Sequence, residues 1–320
     1  MLFRSAAALA LSLISPAAAQ WPDRTVTIVV PYAAGGNTDT MARMAADWLN
    51  QRLGQRFVVE NRVGAAATLG AAFVANAKPD GTTFLFGASP QILVAPFLQK
   101  VNYDSSKSFD FVGIFGTGPN ILALHRDVPA KTVPELIAYG KANPGKISYA
   151  SGGHGSHGHL TGGLFASRAG IDIVHVPYKG GPPAATDLMA GEIELLFFNT
   201  PAALPYIKSG RLRALGVSTA KRSPLLPDVP SIGDTVKGFD TDVWFGLVAP
   251  AGTPADIIAK TQRDIATVVA LPDVRKQLLD LGAEPVVNTP DVFAARIKKE
   301  SALWAKVVQN ARIKIGRAHV

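Results

Sequence analysis

Apolar residues fall in short runs rich in Val, Ile and Phe that alternate with longer stretches of helical spacing. The runs at residues 25–30, 57–60 and 82–86 read as strands. Between them Asp39 opens a helix that ends at Gly54, and residues 69–77 read as a second helix. The middle repeats the theme, with strands at 121–124, 147–150, 173–176, 192–198 and 212–217. Thr132 and Glu135 form a capping box for a helix ending near Asn143-Pro144-Gly145. Further helices run to about Arg168, over 182–190 and over 201–208. In the last third a strand at 243–248 precedes two helices announced by Thr253-Pro254 and Thr289-Pro290. The last helix presents Phe293, Ile297, Trp304 and Val308 on one face, as core contacts. This alternation predicts an α/β protein of two similar lobes, each a mostly parallel sheet flanked by helices.

Composition removes several classes. A chain of 320 residues, 48% hydrophobic and 18% charged, is neither disordered nor collagenous. There is no cysteine, so disulfides, thiolate metal sites, cysteine nucleophiles and a lipid-anchored cysteine are excluded. The net charge of +8 is spread along the chain without a basic block. Nucleic acid is therefore not an expected partner, and a weak preference for anionic small molecules is.

The two ends read differently from the rest. Arg4, an apolar stretch at 6–14, and Pro16 followed by Ala17-Ala18-Ala19 make an export signal cleaved after Ala19. The apolar stretch is shorter than the roughly 20 residues a membrane span needs, and the mature chain is expected to be soluble and exported. At the other end, residues 315–320 are what the string ATC GGA AGA GCA CAC GTC encodes, which resembles a sequencing-library adapter. Arg317 and His319 accordingly receive no functional role.

Two glycine-rich loops sit between a strand and a helix. Loop one is Pro31-Tyr32-Ala33-Ala34-Gly35-Gly36-Asn37-Thr38-Asp39. Its helix N-terminus presents free amides and a positive dipole end, which suits an anion, and paired glycines allow close approach. A plain turn capped by Thr38 or Asp39 accounts for the same residues equally well. Loop two is Ser151-Gly152-Gly153-His154-Gly155-Ser156-His157-Gly158-His159. It admits three readings. Gly153, Gly155 and Gly158 fit a dinucleotide fingerprint, but Asp172 opens the next strand instead of closing it. His154, His157 and His159 invite a metal, with no cysteine or carboxylate in the loop to help. Anion capture by Ser156 and backbone amides is preferred. A serine-hydrolase elbow is not formed, because Gly-x-Ser-x-Gly fails at Ser156 and at Ser89. His175 and Asn199 lie at strand ends where α/β sheets collect ligands, with a packed core role and a local helix cap as their alternatives.

Taken in order, these motifs resemble a known family. They are Trp21-Pro22-Asp23-Arg24, loop one with Val30, Val59-Glu60-Asn61-Arg62-Val63-Gly64-Ala65, and Pro79-Asp80-Gly81. Loop two, Val176-Pro177-Tyr178-Lys179-Gly180, Leu226-Pro227-Asp228-Val229-Pro230 and Trp244-Phe245-Gly246-Leu247-Val248-Ala249-Pro250 complete the set. The whole mature chain resembles the Bug receptors, the extracytoplasmic solute-binding proteins of tripartite tricarboxylate transporters. The resemblance implies a type II-like periplasmic-binding-protein fold with two crossover strands. Lobe one would be residues 21–120 with 243–314, and lobe two residues 121–242. It implies a monomeric periplasmic receptor, not an enzyme, that closes on a small organic carboxylate and presents it to membrane permease subunits. Neither a cofactor nor a metal is expected. The implied ligand contacts are Tyr32, Ala33, Gly35, Gly36, Asn37, Thr38, Asp39, Ser89, Gly152, Gly153, His154, Gly155, Ser156, His159 and Asn199. Asp39 would repel a bare carboxylate, so it is expected to cap or to orient water. Ala34, Asn37, His154 and His157 depart from the family's usual loop residues. The alternatives in other classes are a carboxylate sensor feeding a signalling partner and a metal-dependent or serine hydrolase.

Overall fold

A computed structural model describes residues 21–178 and 181–310. The export signal and the 315–320 tail lie outside the described residues.

Ten strands form one continuous mixed sheet. In its first half β1 (Val26–Val30) runs parallel to β2 (Phe57–Asn61) and to β3 (Thr83–Ala88). In its second half β5 (Ile147–Ser151) runs parallel to β6 (Ile173–Pro177) and to β7 (Leu195–Asn199). The halves are joined by β4 (Phe109–His125), seventeen residues long. From Phe109 to Pro119 it pairs antiparallel with β9 (Asp242–Pro250), and from Asn120 onward with β7 and with β8 (Leu212–Val217). A short β10 (Glu284–Pro285) also pairs with β4. The chain returns from the second half beside this switch, where Thr241 N bonds Ser218 O at 2.9 Å and Ser218 N bonds Asn120 O at 2.8 Å.

The apolar pattern places a strand only at 121–124, whereas β4 begins twelve residues earlier and contains Gly113, Gly116, Gly118 and Pro119. Gly116 and Gly118 are positions of close approach inside β4. A Cβ on Gly116 would meet Ala283 Cβ at 3.2 Å, and one on Gly118 would meet Gly282 O at 3.1 Å. Register shifts between Phe111 and Gly113 and between Ile114 and Gly116 bend the strand there. The remaining strands stand close to where the pattern puts them, except that residues 192–194 precede β7 instead of opening it.

Helices cover both faces. In chain order they are α1 (Asn37–Leu53), α2 (Thr68–Ala75), α3 (Ala95–Leu98), α4 (Val133–Ala142), α5 (His157–Ala169), α6 (Gly181–Ala190), α7 (Thr200–Lys208), α8 (Ala255–Ala270), α9 (Pro272–Asp280) and α10 (Pro290–Asn310). Alternate residues of each strand enter different apolar clusters, as period-two side-chain geometry requires. Val29, Leu85, Leu122, Leu195 and Phe197 belong to one cluster that runs through both halves of the sheet. Ile28, Phe84 and Phe86 face a second cluster in the first half, and Ile121, Leu196 and Phe198 a third in the second half. Phe293, Ile297, Trp304 and Val308 are all buried, on the face the spacing assigns. No helix among the described residues is long and apolar enough to cross a membrane.

Candidate functional site

Loop one leaves β1 and enters α1. Gly35 adopts φ +82°, a region that favours glycine. Gly36 is the N-cap in extended backbone and offers no side-chain bond to the helix. The first amides of α1 therefore keep no intrahelical acceptor. Asp39 does not stand free to oppose an anion. Its Oδ2 accepts from Gly35 N at 2.8 Å and Arg43 Nε at 2.9 Å. Its Oδ1 accepts from Asn61 Nδ2 at 2.8 Å and Arg43 Nη2 at 3.0 Å. Burial alone would raise this carboxyl, but the bonds from Arg43, Gly35 and Asn61 outweigh it and hold its pKa below the usual carboxylate range. Asn61 Nδ2 also donates to Tyr32 O at 3.0 Å, which fastens the loop to the end of β2.

Loop two leaves β5 and enters α5 in the same way from the other half. Gly153 and Gly155 hold φ +123° and +73°. A Cβ on Gly158 would lie 2.5 Å from Phe197 O, so only glycine lets α5 seat against β7. Ser156 is the N-cap, its Oγ accepting from His159 N at 3.3 Å. That leaves the amides of His157 and Gly158 without an intrahelical acceptor.

Both loops border one cavity of about 500 Å³ between the halves of the sheet. Of the expected contacts, Tyr32, Ala33, Thr38, Gly152, His154, Gly155, Ser156 and Asn199 line it. Asn199 is an N-cap whose side chain makes no cap bond, so the local-cap reading does not hold and the amide is available to the cavity. The other expected residues have different placements. Ser89 is buried between two wall residues, Ala88 and Pro90, with its Oγ unpartnered among the described residues. Asn37 Nδ2 donates toward Leu281 O at 3.4 Å. His159 is buried, its Nδ1 accepting from Gly155 N at 3.1 Å. Gly35, Gly36 and Gly153 belong to the two loops without lining the cavity themselves.

The sequence reading missed the apolar walls. Val63, Gly64 and Ala67 come from the turn after β2, Phe197 and Phe198 from β7, and Val243 and Phe245 from β9. Ala67 holds φ +71°, an unusual backbone for a residue with a Cβ. Phe198 and Val243 stand one residue from a strand end, the signal that singled out Asn199. No Lys or Arg lines the cavity among the described residues.

His157 also lines the cavity, although buried. Its Nδ1 accepts from Asn120 Nδ2 at 2.8 Å and its Nε2 bonds Thr241 Oγ1 at 3.1 Å. Burial, reinforced by the Arg296 charge, pushes its pKa down to about 4 against an opposing bond at Asp242, so the ring is neutral at pH 7. A larger depression of about 880 Å³ lies on the outside, between residues 96–106 and α10, and neither loop reaches it.

Comparison with known proteins gives this geometry its context. The model of the tripartite tricarboxylate transporter family receptor matches residues 41–313. The chain belongs to that receptor family. It is 35% identical to Protein BugT of Bordetella pertussis over 298 residues, covering 92% of this chain and 91% of that one. Among solved structures, R. palustris Rpa4515 with adipate matches at 36% identity and TM-score 0.78, covering 92% of this chain and 99% of that chain. MatC from Rhodopseudomonas palustris, with bound malate, matches at 33% identity and TM-score 0.75, covering 90% and 100%. The tricarboxylate-transporter receptors are periplasmic solute-binding proteins, and the two-lobed α/β fold expected from the sequence is the fold of this receptor.

Proposed function

We propose that the protein captures a small organic carboxylate between its lobes and presents it to the permease of a tripartite tricarboxylate-type transporter. The observation that carries this reading is the facing of two unsatisfied helix N-termini, α1 and α5, across one cavity. Two positive dipole ends with free amides complement an anion without a cationic side chain. Charge-assisted hydrogen bonds are worth roughly 1.5–3 kcal/mol each, so two or three support micromolar affinity, about −8 kcal/mol. The apolar walls of Phe198, Val243 and Phe245 favour a ligand with a hydrocarbon body between its polar ends. Adipate and malate in related receptors agree with that class. The expected ligand contacts are the wall residues of the two loops and Asn199, with Asp39 ordering loop one instead of touching the anion. Export through cleavage after Ala19 and action as a monomer complete the reading.

The test is a thermal-shift titration with short dicarboxylates, hydroxy acids, aromatic acids and sugars. Stabilisation by a related set of carboxylates is expected, growing with the logarithm of ligand excess and reaching about 2.7 kcal/mol at a hundredfold excess over Kd. Stabilisation by sugars alone, or by none of the panel, overturns it.

A further inference from the structure

Behind loop two, three imidazoles from three separate elements meet. His154 comes from the loop, His159 from the first turn of α5 and His175 from the middle of β6. A ring nitrogen of each lies within 4.8 Å of those of the other two. His159 and His175 stack with centroids 3.7 Å apart and planes 9° apart. His154 stands edge-on to both, at 5.6 and 5.4 Å. The carboxylate reading gives His175 no task, and the sequence reading grouped His157 with His154 and His159 instead. The structure separates His157, which is engaged with Asn120 and Thr241, and supplies His175 in its place.

We propose that His154, His159 and His175 form a binding site for a divalent transition metal of the zinc class, with a fourth position left to water. Three imidazoles with one open position is a known zinc arrangement, and imidazole nitrogen also suits nickel and copper, whereas magnesium and calcium require oxygen ligands. His175 is prepared as a ligand. Its Nε2 bonds Ser151 Oγ at 2.7 Å, and Ser151 Oγ donates to Gly153 O at 3.1 Å. Ser151 thereby accepts the Nε2 proton and leaves the Nδ1 lone pair bare, the outer-shell support that metal-bound histidines have. His154 is exposed and gives the ion its entry.

Capture requires movement. Ligand nitrogens about 2.0–2.1 Å from a tetrahedral ion stand about 3.3 Å apart, and one ion cannot lie in the planes of two parallel stacked rings. His159 is the ring that turns, and its bond from Gly155 N is lost when it does. Gly155 and His154 belong to the cavity wall, so loading the metal redraws loop two.

The protein, purified without a polyhistidine tag and stripped with EDTA, is titrated by calorimetry with zinc chloride and, as a control, magnesium chloride. One zinc per chain and no magnesium binding are expected. His154→Ala and His175→Ala are each expected to weaken zinc by about tenfold or more. Because His154 is exposed, its variant keeps the melting temperature of the metal-free protein. Cobalt(II) is expected to give a tetrahedral visible spectrum that His154→Ala abolishes. Absence of stoichiometric zinc binding, or unchanged zinc affinity in His154→Ala, overturns the site.

Discussion

His157 accepts a hydrogen bond from Asn120 at 2.8 Å, and so ties the first turn of α5 to the residue where β4 exchanges one set of partners for another. One residue thus borders the cavity and touches the connection between the lobes. The same ring reaches Thr241, the residue before β9, so both passages between lobes converge on it.

That placement predicts a pH dependence of stability. The folded-state pKa of His157, about 4, lies below its ordinary 6.5. As pH falls the unfolded chain takes up this proton first, so stability declines from pH 6.5 down to about 4. The contribution of this one ring is about 3 kcal/mol. His157→Gln, which keeps a neutral hydrogen-bonding side chain, is expected to make that part of the curve shallower in urea melts at stepped pH, with buried His159 and His175 keeping a residual slope.

Asp39 is predicted to matter for fold order more than for charge at the ligand. Asp39→Asn removes the negative charge and puts an NH2 donor where one of the two oxygens accepts from Gly35, Arg43 and Asn61, and is expected to cost about 1–3 kcal/mol. The wild-type contribution is present above the ordinary carboxylate range and is lost as pH falls through the lowered value. Chemical denaturation at pH 7 against low pH checks both statements, since the two proteins should converge in acid.

Gly36→Val tests whether the N-terminus of α1 holds the anion. A Cβ at Gly36 meets nothing nearer than Ala33 O at 3.5 Å, so the substitution is sterically tolerated. It places a branched side chain beside the free first-turn amides. Carboxylate affinity is expected to fall by about tenfold or more, which is 1.4 kcal/mol, with little change in melting temperature. Calorimetry on both proteins reads the difference.

Arg296 on α10 bridges Asp242 and Glu300. Burial pushes Glu300 up to about 7 despite the Arg296 charge, and burial likewise raises Asp242. Arg296→Met leaves Asp242 enclosed and unpaired and is expected to cost about 3 kcal/mol. Glu300→Gln, at a group already part-protonated at neutral pH, is expected to cost about 1 kcal/mol or less. Equilibrium unfolding of the two variants at pH 7 distinguishes them.

Much of the fold is legible in the residues because each strand is short, apolar and followed by a turn signal. The capping box of Thr132 and Glu135 marked a helix start, and the apolar face of α10 was readable from Phe293 to Val308. The long strand β4 was not legible, since its glycines serve contacts with residues 282–284 that are distant in sequence. The site was legible as two loops. Its apolar side was not, because Val63, Phe198 and Phe245 look like any other core residue until the sheet order brings β2, β7 and β9 to one cavity. The same limit hid His175, which a local pattern cannot pair with His154 and His159.

The apolar cluster that passes uninterrupted from Val29 through Leu122 to Phe197 has a consequence for how the receptor melts. Two sheet halves joined only through β4 and the return at Thr241 suggest two melting units. A shared interior makes loss of either half expose the flank of the other, which couples them into one cooperative event. Differential scanning calorimetry is expected to show a single endotherm whose van't Hoff and calorimetric enthalpies agree, with ligand moving the whole peak instead of splitting it.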